Sequence, residues 1–277
     1  MEAAGVVGDT HFEPSRGFYF APLDVRIRVN TPGAIVVYTT DGSRPSFSNG
    51  NRAAGTNVNV HITTTTVLRA AAFKDGDDPG GVATHSYIFP TKVANQTRPA
   101  SVGPRWPGGY PTDFEMDARA INNALPGYGL TNALLAIPSI SIVMPPDDLW
   151  GAANGIYANS TVEIERGASF EMIFADGQAG VQENAGVSMR GYAAQIKSLT
   201  PKHSLTAVFR RPYGAPKLKF PVFPHTEIRE FNALVLRANA LDSWANSEVD
   251  WNHRIDGELR WYRNRASYVR DQWMRDV

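Results

Sequence analysis

The sequence predicts a mainly β chain, α+β overall, divided into two domains, and three observations carry that prediction. Short runs of alternating apolar and polar residues recur through residues 17–90 and again from 137 to 237, the period of a half-buried strand. Gly- and Pro-containing turns punctuate those runs. One long stripe then closes the chain at helical spacing: Leu259, Tyr262, Ala266, Val269, Trp273 and Val277.

The elements follow in order. Val25, Ile27 and Val29 alternate with Arg26 and Arg28, and Thr31-Pro32-Gly33 turns the chain into the more buried strand Ile35-Val36-Val37-Tyr38. Asp41-Gly42 marks a tight turn. Val58, Val60 and Ile62 alternate with Asn57, Asn59 and His61, and two further strands, Val67 to Phe73 and Thr84 to Phe89, complete a small all-β sandwich. Pro90, Pro99, Pro104, Pro107 and Pro111, with Gly103, Gly108 and Gly109, then read as an extended linker. Within it, Asp113 to Asp117 is either a surface loop or the start of a short helix. A second domain opens with the strand Ile137 to Met144. It continues with Ser169 to Phe174, closed by the turn Asp176-Gly177, then Val187 to Arg190, Ser204 to Arg210 and Ala233 to Arg237. The terminal helical stripe meets no Gly, Pro or Asn stop signal, so the chain is expected to be cut within a fold. The expected division is a sandwich over 1–90, a Pro/Gly-rich linker over 91–134 and a second domain over 135–277.

Composition narrows the chemistry. The 277 residues balance 27 basic against 27 acidic side chains and contain no cysteine, which excludes disulfides, thiolate zinc sites and thiol nucleophiles. No apolar run approaches the roughly 18 residues of a membrane-spanning helix, and the first residues have neither a basic nor an apolar leader region. As written, the chain would stay in the cytoplasm, with any address signal outside it. The histidines are scattered without metal-ligand spacing, and no metal is expected. Nucleophile-elbow, Walker-type and dinucleotide glycine motifs are all missing. Glu163 and Glu165 alternate along a strand-like segment and read as surface charge. Trp106, Tyr110, Trp150 and Trp244 read as plugs of a core or domain interface before a sugar-stacking surface. Asp242, Asp250, Asp256 and Asp271 sit in no recognisable catalytic motif.

One stretch stands apart. Gly186 to Thr226 carries Arg190, Lys197, Lys202, Arg210, Arg211, Lys217 and Lys219 without a single acid. Such a field suits a polyphosphate, another anionic ligand or a polyanionic partner, and a solvated sheet face beside acidic neighbours explains it equally well. Arg190-Gly191 falls at a strand end, where glycine lets a ligand approach the backbone and arginine binds phosphate with two donors. Period two puts Lys202, Ser204, Thr206, Val208 and Arg210 on one face of the next strand. Lys202 and Arg210 lie about 26 Å apart along it, too far to share a phosphate. Lys202 with Arg190, across adjacent strands, is the better pair.

Two resemblances add to this reading. Thr31-Pro32-Gly33-Ala34, Val37 to Pro45 and Thr64 to Gly76 are similar to the chitobiase/β-hexosaminidase C-terminal-type domain. That family is an immunoglobulin-like β-sandwich appended to larger extracellular proteins, which implies an accessory module without catalytic acids. From about residue 135, Ile137 to Val143, Gly155-Ile156-Tyr157, Gly186 to Gly191, Pro201 to Leu205, Leu234 to Asn239 and Tyr268 to Asp271 follow in the order of the spore-coat CotH kinase-like family. The resemblance implies the N-terminal part of an atypical protein-kinase-like α+β domain that uses ATP and Mg to phosphorylate a protein hydroxyl. Lys202 would contact the nucleotide phosphates, Arg190 and Gly191 would shape the neighbouring loop, and Arg270 would belong to a helix behind the site. Tyr192-Ala193-Ala194 departs from the family's small hydroxyl or Asn residues, and the family's later carboxylate-bearing half finds no counterpart before Val277. As this chain stands, no turnover is expected. The implied setting of the parent is extracellular or at the cell surface, with a protein substrate or a surface polymer as partner and no nucleic acid. The competing reading is a non-catalytic carbohydrate-binding or structural module.

Overall fold

Alternating sequence becomes alternating burial. In β3 (Leu23–Arg28), Val25 and Ile27 are fully buried while Asp24, Arg26 and Arg28 face solvent. The computed structural model of the chain describes residues 5–53, 55–100, 102–105, 112, 114–116, 118–122, 129–190, 203–224 and 226–237. All of them belong to the unit Met1–Ala238. β6 (Asn57–Ile62) repeats the pattern of β3 with Val60 and Ile62 inside, and pairs with it antiparallel, Val25 opposite Val60. β1 (His11–Glu13) adds to the other edge of β3 and completes a three-stranded layer.

The second layer of the sandwich has five strands in the order β2 (Gly17–Phe18), β8 (Ala83–Ile88), β7 (Thr66–Phe73), β4 (Ile35–Thr39) and β5 (Asn51–Arg52). Leu68, Ala70, Ala72, Val36 and Tyr87 from this layer meet Val25 and Ile27 of the first in one apolar core. β7 is buried on both faces. Leu68, Ala70 and Ala72 point into the sandwich, while Arg69, Ala71 and Phe73 are buried on the outer side. Its Ala70-Ala71-Ala72 run fits a strand with neighbours above and below, where side chains must be small and mostly apolar.

A second sheet is antiparallel throughout, in the order β15 (Ala233–Leu236), β12 (Ser204–Val208), β11 (Val181–Arg190), β10 (Glu165–Ile173) and β9 (Ser139–Val143). One face carries Ala168, Phe170 and Met172 of β10, Ala185, Val187 and Met189 of β11 and Ala207 of β12 into a core closed by Ile156 and Leu218. Phe170 and Phe209 meet edge to face there, with ring centroids 5.6 Å apart. The opposite face of β10, with Ser169, Glu171 and Ile173, is also buried. Glu171 reaches Ser86 of β8, so the outer face of the sandwich lies against this sheet and three β layers stack in sequence. A hairpin of β13 (Leu218–Lys219) and β14 (Glu230–Phe231) borders the core.

The protein is therefore mainly β, as expected. The segment read as an extended linker contains three short helices among its described residues: α1 (Pro90–Val93), α2 (Ala118–Ile121) and α3 (Leu130–Leu135). Proline at the first position of α1 is compatible with a helix start, since the amide it lacks has no helical partner there. A fourth helix, α4 (Pro146–Trp150), follows β9 and places Trp150 against Tyr157 and Phe114 in an aromatic group. Among the described residues no helix is long and apolar enough to cross a membrane. The terminal stripe from Leu259 to Val277 lies outside the described residues, as do Trp106, Tyr110 and Trp244.

Candidate functional site

The basic stretch divides in two once the strands are paired. Arg210, just beyond β12, forms an ion pair with Glu165 at the start of β10, and its guanidinium lies 5.8 Å from the centroid of the Tyr213 ring. Lys217 Nζ binds Glu230 at 2.9 Å and Lys219 Nζ lies 3.8 Å from the same carboxylate. These acids sit outside the acid-free window in sequence and arrive by antiparallel pairing. For Arg210, Lys217 and Lys219, the solvated sheet face with acidic neighbours is the correct account. Lys197 lies outside the described residues.

Arg190 is different. It is the exposed last residue of β11 and makes no ion pair with a described residue. It stands directly opposite Ser204, the first residue of β12, and the next pair on that face is Ser188 with Thr206. Ala207, one position on, is buried in the core behind, which fixes Ser204, Thr206 and Val208 on the Arg190 face. Gly191 and Lys202 lie outside the described residues, as do Asp242, Asp250, Asp256 and Asp271. Arg190 and Ser204 bound the segment that contains Gly191 and Lys202. An arginine at a strand end has the donors that a phosphate needs, whereas Thr206 Oγ1 on the same face is buried. Among the described residues no three His, Cys, Asp or Glu side chains converge as a metal site. Of the residues that the sequence assigns to a phosphate, Arg190 alone is described, and the described residues supply no set of magnesium ligands.

Sequence reasoning missed a buried polar cluster where the sandwich meets the second sheet. Glu171 is the middle of Ser169-Phe170-Glu171-Met172-Ile173, where period two puts it opposite the apolar positions, as a solvent-facing acid would be. Its side chain is fully buried. The Ser86 amide donates to Glu171 Oε1 at 3.2 Å and the Ser86 hydroxyl to Oε2 at 2.6 Å. Ser141 Oγ lies 2.8 Å from Ser86 Oγ and also serves the carboxylate. Arg16 Nη1 sits 3.4 Å from Oε1, an ionic contact without hydrogen-bond geometry. Burial pushes the Glu171 carboxyl above its usual range, and the Ser86 and Arg16 contacts pull it part of the way back.

Arg16 extends the cluster into the sandwich. Its backbone amide lies 3.0 Å from His85 Nδ1 and its Nη2 3.3 Å from His85 Nε2, so Arg16 presents a donor to each ring nitrogen, of which a neutral ring accepts one. The imidazole stacks on Phe12 with centroids 4.1 Å apart. Burial first, and the Arg16 charge second, depress His85 to about 3, so the ring is neutral at physiological pH. Neutral His85, charged Arg16 and hydrogen-bonded Glu171 form a chain from the sandwich to the second sheet. The arrangement holds two layers together.

Comparison with known proteins supports the sandwich and is silent on the second sheet. No curated protein matches the chain. Among solved structures, the sulfur carrier protein SoxY from Chlorobium limicola f thiosulfatophilum aligns at 14% identity with a TM-score of 0.22, covering 31% of this chain and 86% of that one. Superoxide reductase (Neelaredoxin) from Ignicoccus hospitalis aligns at 18% identity with a TM-score of 0.21, covering 29% of this chain and 80% of that one. Overlaps this weak bear on neither fold nor chemistry. Residues 14–84, which contain the sandwich strands from β2 to the start of β8, match the model of the Chitobiase/beta-hexosaminidase C-terminal domain family.

Proposed function

We propose that the second sheet belongs to a CotH-like kinase domain, an atypical protein-kinase-like α+β domain that transfers a phosphoryl group from Mg-ATP to a protein hydroxyl. The sandwich is its accessory module. The carrying observation is Arg190, exposed and without an ion-pair partner among the described residues, set opposite Ser204 with Ser188 and Thr206 on the same face. In phosphoryl transfer the protein contributes mainly positioning and charge, and a strand-end arginine supplies both. Arg190, Gly191 and Lys202 would hold the nucleotide phosphates, and magnesium, when bound, would offset their charge. The two-domain order, sandwich first, agrees with both sequence resemblances.

The test is nucleotide-dependent stabilisation. A ligand present at a hundred times its dissociation constant raises stability by about 2.7 kcal/mol, a clear rise in melting temperature. Mg-ATP is expected to produce that rise in the parent chain and not in Lys202→Ala or Arg190→Ala. If Mg-ATP has no effect on the parent, or if Lys202→Ala responds as the parent does, these residues do not bind phosphate.

A further inference from the structure

Between the outer face of the sandwich and the second sheet lies a cleft of about 580 Å³. Its walls are chemically unequal. Arg44 and Arg69 line it from the sandwich, and Asn184, Pro212 and Tyr213 from the second sheet. Asp148 is the one acid among the described lining residues, and it already faces Arg166, whose Nε is 3.4 Å from its Oδ1. Among those residues, the cleft therefore carries two arginines with no free carboxylate to answer them.

Arg69 is the informative residue. It occupies the middle of β7 and is only 7% exposed. Nη1 donates to the Gly42 carbonyl at 2.8 Å, but Nε is buried without a hydrogen-bond partner among the described residues. A buried guanidinium with an unmet donor is costly, and buried cations are ordinarily paired. The two nearest acids are committed elsewhere. Asp41 accepts from the Ser43 amide at 3.0 Å and the Ser43 hydroxyl at 2.6 Å, and Glu171 is held by Ser86. Burial lowers the Arg69 pKa and the neighbouring Arg44 charge lowers it further, while the Asp41 and Glu171 carboxylates offset part of the shift. Two like charges facing one space call for an anion between them.

The site is also built in advance. The loop that carries Arg44 is braced by Asn49, whose Nδ2 donates to Ser43 Oγ at 2.9 Å and to the Arg44 carbonyl at 2.8 Å. Across the cleft, Asn184 Oδ1 accepts from Gln182 Nε2 at 3.3 Å, which leaves the Asn184 amide nitrogen as a donor. The Tyr213 ring lies against Gly167 on the same wall. A cleft of this size holds a monosaccharide rather than a bare inorganic ion. An amide and an aromatic ring opposite two guanidiniums suit a hydroxylated body with an anionic end.

We propose that this cleft binds a small hydroxylated oxyanion, a sugar acid or a sugar phosphate, with Arg44 and Arg69 on its charged group and Asn184 and Tyr213 on its body. The inference is independent of the kinase reading, because it uses none of Arg190, Gly191 and Lys202 and requires no magnesium.

Titration calorimetry on the whole chain tests it, with glucuronate, glucose 6-phosphate and glucose as probes and no divalent cation. At least one of the two anions is expected to bind, more weakly as salt is raised, and glucose is expected not to. Which anion binds tells carboxylate from phosphate recognition. Arg44→Gln, on an exposed side chain, is expected to leave the melting temperature of the free protein unchanged and to weaken binding at least about tenfold. Arg69→Lys keeps the charge and loses Nε, and a similar loss is expected. Lys202→Ala is expected to bind like the parent, which separates this site from the phosphate site proposed above. The proposal is overturned if neither anion binds, if glucose binds as well as they do, or if Arg44→Gln retains parental affinity.

Discussion

His85 sets the acid limit of the sandwich. Its folded value of about 3 compares with 6.5 for an unperturbed ring. A depressed value means that the unfolded chain takes up the proton first. The resulting stability is present above 6.5 and is lost as pH falls toward about 3, a difference on the order of 5 kcal/mol. Glu171 has the opposite sign. Its raised folded value favours the protonated form in the native state, so its contribution is full below the ordinary carboxylate value and fades as pH rises through the raised one. Acid destabilisation of this cluster therefore belongs to His85. His85→Asn places an acceptor near the former Nδ1 for the Arg16 amide and cannot titrate. Between about pH 7 and about pH 4 the urea midpoint of the parent is expected to fall steeply and that of His85→Asn to fall much less. Parallel slopes for the two proteins would remove His85 from the account, whatever their offset.

At the scale of elements, Gly167 and Gly186 explain how a tyrosine rests flat against a sheet. They are directly paired across β10 and β11, and the Tyr213 ring lies over both. A Cβ on Gly186 would stand 2.4 Å from Tyr213 Cε2 and from Glu165 Oε1, whereas one on Gly167 would stand 3.2 Å from Tyr213 Cδ1. Gly186→Ala is therefore expected to displace the ring and to destabilise by about 1–3 kcal/mol in denaturant titration, with Gly167→Ala clearly milder. Equal effects would mean that the ring is free to shift. This element also shows what a linear reading misses. The alternation in β3 and β6 was legible because each strand buries one face, and the Asp41-Gly42 turn was legible because Gly42 takes φ of +80°. Gly186, by contrast, reads as one residue in a basic stretch. Its purpose depends on Gly167 opposite and Tyr213 above, and the neutralisation of Arg210 depends on Glu165, 45 residues away.

For the molecule as a whole, the missing information was which strand faces would be covered twice. Sequence showed β7 and β10 as strands without saying how their faces would be covered. Arg69 and Glu171 lie opposite the faces that enter the two cores and both are buried, because the sandwich and the second sheet cover each other there. The Arg190–Lys202 pairing rested on adjacency of two strands; the register sets Arg190 opposite Ser204, and Lys202 lies outside the described residues. Mutual covering has a thermodynamic consequence. A sheet whose polar middle is satisfied only by its neighbour does not unfold independently of it, since separation strips Glu171 of the Ser86 amide and hydroxyl and of Arg16 together. Calorimetry is accordingly expected to show the sandwich and the second sheet melting in one transition, with calorimetric and van't Hoff enthalpies in agreement. Ser86→Val removes the hydroxyl bond and sets methyl groups against a buried carboxylate, which costs about 1–3 kcal/mol at the joint while leaving both cores intact. That variant is expected to melt earlier, with its single transition broadening or splitting as the second sheet lets go first. Two resolved transitions already in the parent chain would show that the layers are stable apart and that Glu171 does not couple them.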